Sequence, residues 1–123
     1  MSNLESCLIA IVLLCLVAKG QSKCTLNDLT IGTVRTGRTI QGKPEWTVTV
    51  TNECACAQSS IKVRCTGFKS VVPTNPSKIL PLGGTCLING GHPVGPGSTI
   101  SFSYVWDPPF ILLPASAIVG PGC

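Results

Sequence analysis

Six cysteines constrain this chain more than any other feature: Cys24, Cys54, Cys56, Cys65, Cys86 and Cys123. Two others, Cys7 and Cys15, belong to a different population, the apolar run Cys7–Ala18 (CLIAIVLLCLVA) near the N-terminus. Ala18-Lys19-Gly20 then places small residues at the two positions a signal peptidase reads. Residues 1–20 are therefore expected to be a secretory signal, and residues 21–123 one cysteine-rich domain. As a helix the apolar run would rise only about 18 Å against a hydrocarbon core of roughly 30 Å, so no membrane insertion is expected once the signal is removed.

An even set of cysteines in a short secreted chain is expected to close as three disulfides, each stabilising the fold by about 2–4 kcal/mol. Cys54 and Cys56 lie two apart, and in extended chain their side chains point the same way. They are expected to reach two different partners and not each other. Spacing alone leaves the pairing open. A zinc site is the rival use of the thiolates, but six cysteines behind a secretory signal, with no paired histidine beside the single His92 in its Gly-Gly-His-Pro turn, argue against it, so no metal is expected.

Val, Ile and Thr dominate the remaining composition, and branched side chains suit a pleated surface better than a helix. Strict alternation marks three half-buried strands. Trp46, Val48 and Val50 oppose Thr47, Thr49 and Thr51; Ile61, Val63 and Cys65 oppose Lys62 and Arg64; Ile100, Phe102, Tyr104 and Trp106 form the apolar side of the third. Weaker strands are expected over Leu29–Arg35, Thr39–Gly42, Phe68–Val72 and Thr85–Ile88, with a last one in the apolar segment Phe110–Val119, stapled down through Cys123. Gly and Pro turns fall between them. The expected fold is all-β, a small antiparallel sandwich of about seven short strands.

Charge and chemistry narrow the function. The chain carries 9 basic and 5 acidic residues, net +4, and losing Glu5 with Lys19 leaves that difference unchanged. The basic residues are scattered without a run, which argues against nucleic acid and for attraction to acidic extracellular surfaces. His92 and the acids Asp28, Glu45, Glu53 and Asp107 show no spacing that suggests an acid–base pair, and no glycine-rich turn has the context of a phosphate loop. No catalytic residue and no cofactor are expected. A cell-wall carbohydrate-binding module is the rival reading, with Trp46, Tyr104, Trp106 and Phe110 as stacking candidates. Trp46, Tyr104 and Trp106 fall on apolar sides, where packing is the simpler role.

The order Gly42-Lys-Pro-Glu-Trp46, Val48-Thr-Val-Thr-Asn52, Cys54-Ala-Cys-Ala-Gln58, Cys65-Thr-Gly-Phe-Lys-Ser70, Cys86-Leu-Ile-Asn-Gly-Gly-His-Pro93 and Phe102-Ser-Tyr-Val-Trp-Asp107 closely resembles the tapetum-determinant-like family of small secreted plant proteins. The resemblance runs from Cys24 to Cys123 and takes in all six cysteines. It implies a signal in the apoplast that binds the ectodomain of a leucine-rich-repeat receptor kinase of the excess-microsporocytes type, acting with co-receptor kinases to specify the tapetum in the anther. What it transfers residue by residue is the cysteine frame, together with the strand residues around Trp46, Phe68 and Phe102. The receptor-facing candidates come from the strand pattern instead: a wet, basic face carrying Thr47, Thr49, Lys62 and Arg64, with Lys69 nearby.

Overall fold

The computed structural model describes residues 24–123; the expected signal, residues 1–20, lies outside them. Seven strands follow in order: β1 (Leu29–Ile40), β2 (Lys43–Asn52), β3 (Gln58–Arg64), β4 (Ile79–Pro81), β5 (Thr85–Ile88), β6 (Thr99–Val105) and β7 (Leu113–Val119). They form two antiparallel sheets, ordered β1-β2-β6 and β4-β5-β3-β7. Short 3₁₀ turns at Leu26–Asp28 and Asn89–Gly91 are the only helical pieces among the described residues, and no helix there is long and apolar enough to cross a membrane. The architecture is the expected all-β sandwich.

Alternation places the side chains. Val48 and Val50 of β2 and Phe102 and Tyr104 of β6 turn inward, meeting Ile61 and Val63 of β3 and Ile79, Cys86 and Ile88 from the other sheet. Hydroxyls tile the outside of the first sheet, where Thr47 bonds Ser103 at 2.9 Å and Thr49 bonds Ser101 at 3.2 Å. Such cross-strand hydroxyl pairs hold register on a wet face. β1 and β2 are joined by the two-residue turn Gln41-Gly42, both with positive φ (52° and 78°), the conformation whose twist matches a hairpin.

Some strand boundaries differ from expectation. Leu29–Arg35 and Thr39–Gly42 are one strand, β1, whose register shifts between Arg35 and Thr39, and it stops at Ile40. Phe68–Val72 is not a strand: it lies against β6, with Val71 N–H donating to the Val105 carbonyl, but the Ser70 hydroxyl accepts from Val105 N–H where a ladder would use backbone. β4 was not expected, because three residues ending in proline show too little alternation to read. The last strand begins at Leu113, since the preceding Pro108-Pro109 has no N–H to pair and Phe110 is drawn onto Tyr104. Pro114 is tolerated inside β7 because that strand is an edge.

Three disulfides close the frame: Cys24–Cys54, Cys56–Cys123 and Cys65–Cys86. Cys54 and Cys56 reach different partners, as their spacing requires. The turn between β2 and β3, where the chain leaves one sheet for the other, thereby pins both Cys24, where the described chain begins, and the C-terminal Cys123. The third bridge joins the end of β3 to β5 in the buried interior.

Candidate functional site

The receptor-facing candidates do not share one surface. Thr47 and Thr49 stand on the outer side of the first sheet, whereas Lys62 and Arg64 stand on the outer side of the second, because β2 and β3 belong to different sheets. The core lies between the two pairs. Lys69 is placed elsewhere again, with its ammonium 5.8 Å from the ring of Trp106 just past β6. Period-two alternation says which residues share a side of a strand; it does not say which sheet the strand joins. That correction removes the single basic strand face.

What the fold does bring together is a set of aromatic rings and cations. Trp46 donates its indole N–H to the Trp106 carbonyl at 2.9 Å, so the two tryptophans, 60 positions apart, are tied near the start of β2. The Lys43 ammonium lies 4.6 Å from the Trp106 ring, and the Arg35 guanidinium 5.8 Å from the Trp46 ring. Cations over indole faces gain electrostatic attraction from the ring quadrupole. Both tryptophans are half-buried and flanked by charge, so neither offers the open stacking platform expected of a glycan module. Beside them Phe68, Tyr104 and Phe110 form an aromatic cluster with centroids 5.2–5.7 Å apart.

Tyr104 anchors that cluster, and its hydroxyl oxygen accepts from Phe110 N–H at 2.8 Å. Burial pushes its pKa above the ordinary value near 10, and the donated hydrogen bond pulls partly back. In the unfolded chain the phenol loses its proton near pH 10 while in the fold it keeps it, so the unfolded state holds fewer protons there. Stability is therefore expected to be full below about pH 10 and to fall as pH rises beyond it. Urea midpoints for wild type and Tyr104→Phe between pH 8 and about 11 check this. The variant should lose most of the decline, and parallel curves would show that another group titrates.

Alongside the rings runs a groove of about 360 Å³, bounded by Ile31 and Thr33 of β1, by Trp46, and by Pro109–Leu113 leading into β7. Sequence reasoning missed it, since its two walls come from opposite ends of the chain. Also missed was Asn52. This side chain is fully buried, donates to the carbonyls of Cys56 (2.8 Å), Val94 (2.9 Å) and Gly95 (3.3 Å), and accepts from Cys54 N–H (3.0 Å) and from the buried Gln58 amide (2.9 Å). A polar residue ending an alternating strand, where the pattern wants an apolar one, is the one signal that marks it.

Two of the acids with catalytic chemistry are engaged in structural contacts. Asp28 accepts from Thr25 N–H at 2.8 Å in a capping box, and Glu45 takes the Thr36 hydroxyl at 2.9 Å and pairs with Arg38 at 3.8 Å. His92 is exposed on its turn. Sulfurs of Cys24, Cys56 and Cys123 gather, and Asp28 lies by those of Cys24 and Cys54, only because two bridges lie side by side, and bonded sulfur is no thiolate ligand.

Comparison with known proteins places this geometry. The family described as "Tapetum determinant 1, C-terminal" matches residues 25–120, a span holding all seven strands. The chain is 36% identical over 84 residues to TPD1 protein homolog 1 of Arabidopsis thaliana, covering 66% of this chain and 47% of the relative. It is 40% identical over 80 residues to TPD1 protein homolog 1A of Oryza sativa subsp. japonica, covering 58% of this chain and 35% of the relative. The chain thus spans about half or less of the length of these curated relatives. No solved structure matches. Matched over its whole sandwich, this chain belongs to the tapetum determinant 1 family.

Proposed function

We propose that this protein is a secreted, non-enzymatic signal that binds the ectodomain of a leucine-rich-repeat receptor kinase in the apoplast, with a co-receptor kinase completing the complex, in anther cell-fate specification. The observation that carries the reading is membership of the tapetum determinant 1 family across the entire sandwich. Two features support it. The frame of three disulfides and a leader-like N-terminal run suit an oxidising, extracellular setting. The acids Asp28 and Glu45 are held in structural contacts, which suits recognition by surface.

The test is a titration of purified, oxidised protein against the receptor ectodomain and, in parallel, against wall polysaccharides. Saturable ectodomain binding with no comparable glycan binding is expected. No ectodomain binding together with micromolar glycan binding would replace this reading with that of a carbohydrate-binding module.

A further inference from the structure

The groove between β1 and β7 has the attributes of a recognition site. Both bordering strands are edges, each with a single hydrogen-bonded neighbour, so each keeps a row of backbone groups open on one side. Large apolar side chains of its lining stand in solvent: Ile111 is 85% exposed and Leu113 51%. Isolated exposed apolar residues are ordinary, but two lining one apolar groove mark a surface built to be covered. Trp46 forms part of its wall, the exposed Arg35 follows Val34 on β1, and Lys43 and Lys69 lie around the adjoining Trp106. Among the neighbouring acids Glu45 is already held by Arg38, leaving Asp107 against these cations.

We infer that this groove docks an extended segment of the partner protein carrying a bulky apolar side chain flanked by carboxylates. The inference rests on the receptor-ligand reading and gives it a surface. An apolar anchor fills the groove and covers Ile111; the segment's backbone pairs with an open strand edge, as in strand addition. Its carboxylates meet Arg35 and the lysines around Trp106. Charge selects this occupant over a second copy of the chain, because the rim is cationic in both copies, and a two-fold pairing of the β1 edge centred between Thr36 and Gly37 would set Arg35 of one copy against Arg38 of the other. Tryptophan and arginine, here Trp46 in the wall and Arg35 beside it, are also residue types that carry binding energy at interfaces.

The experiment uses the full oxidised chain and the receptor ectodomain, comparing wild type with Ile111→Asp, Arg35→Glu and, as a control, Leu82→Asp beyond β4 at the opposite edge of the second sheet. Ile111→Asp is expected to weaken binding about 30-fold or more, the scale of an interface hot spot. Arg35→Glu should weaken it about tenfold and flatten its salt dependence, and Leu82→Asp should stay within about twofold. Circular dichroism checks folding, and Ile111→Ser, expected to cost about tenfold, serves if the aspartate variant is not secreted. Wild-type binding that neither Ile111→Asp nor Arg35→Glu disturbs overturns the groove and leaves the receptor reading standing. Failure of the wild type to bind overturns both. A wild-type dimer in sedimentation that Ile111→Asp dissolves makes the occupant a second copy, which also overturns the inference.

Discussion

Asn52→Ala is expected to lower the unfolding free energy by about 3–5 kcal/mol, more than any single core truncation of one methyl group. The reason is the number of groups left without a partner. Asn52 donates to three carbonyls and accepts from two N–H groups in a fully buried position, and it joins the end of β2, the Cys54–Cys56 turn, the start of β3 and the Val94–Gly95 loop. Alanine orphans several of these at once, and each buried unsatisfied group costs about 1–3 kcal/mol. Asn52→Asp, nearly isosteric, keeps the acceptor but sets a carboxylate against the carbonyls of Cys56 and Val94, so it is expected to be no better tolerated. Urea unfolding of the oxidised proteins measures both. A loss below about 1 kcal/mol would mean that the disulfides alone hold the inter-sheet turn.

Removal of the Cys56–Cys123 bridge, as Cys56→Ser/Cys123→Ser, is expected to be the costliest disulfide loss. A cross-link stabilises mainly by restricting the unfolded chain, in proportion to the logarithm of the loop it closes. The loops span 67 residues for Cys56–Cys123, 30 for Cys24–Cys54 and 21 for Cys65–Cys86. Chain entropy then assigns about 4.4, about 3.6 and about 3.3 kcal/mol respectively. The buried Cys65–Cys86 pair adds a packing loss when cut to serine, which narrows the gap. Thermal melts of the three double-serine variants rank them; a lowest melting temperature for the Cys24–Cys54 variant would contradict the entropic order. With Cys56–Cys123 cut, Gly120 N–H still donates to the Ala57 carbonyl at 2.8 Å, so β7 is expected to fray from its C-terminal end while the sandwich survives.

These two predictions come from features of opposite legibility. The use of Cys54 and Cys56 toward separate partners is readable from their spacing, because side-chain direction in extended chain is a local property. The network of Asn52 is not, since its acceptors lie at Cys56, Val94 and Gly95 and only a completed turn and loop place those carbonyls around one amide. The same division runs through the candidate site. Trp46 and Tyr104 were legible as inward residues, but the tie from Trp46 to the Trp106 carbonyl and the cations over both indoles depend on β2 meeting β6. The grouping of Thr47, Thr49, Lys62 and Arg64 failed for a related reason: a turn of five residues between β2 and β3 serves a hairpin and a sheet-to-sheet crossing equally well.

The sequence by itself determined that this is a disulfide-framed, all-β chain. It also determined which residues of β2, β3 and β6 face inward and which family's pattern the chain follows. Each of those is written in local spacing, either the period of two along a strand or the intervals between cysteines. Only the tertiary structure decided which strands share a sheet, which cysteines pair, that an asparagine sits at the centre of the inter-sheet turn, and that β1 and β7 leave an apolar groove rimmed by cations. Those outcomes are set by long-range contacts between segments far apart in the chain, and they are chosen by how the whole apolar surface is buried at once.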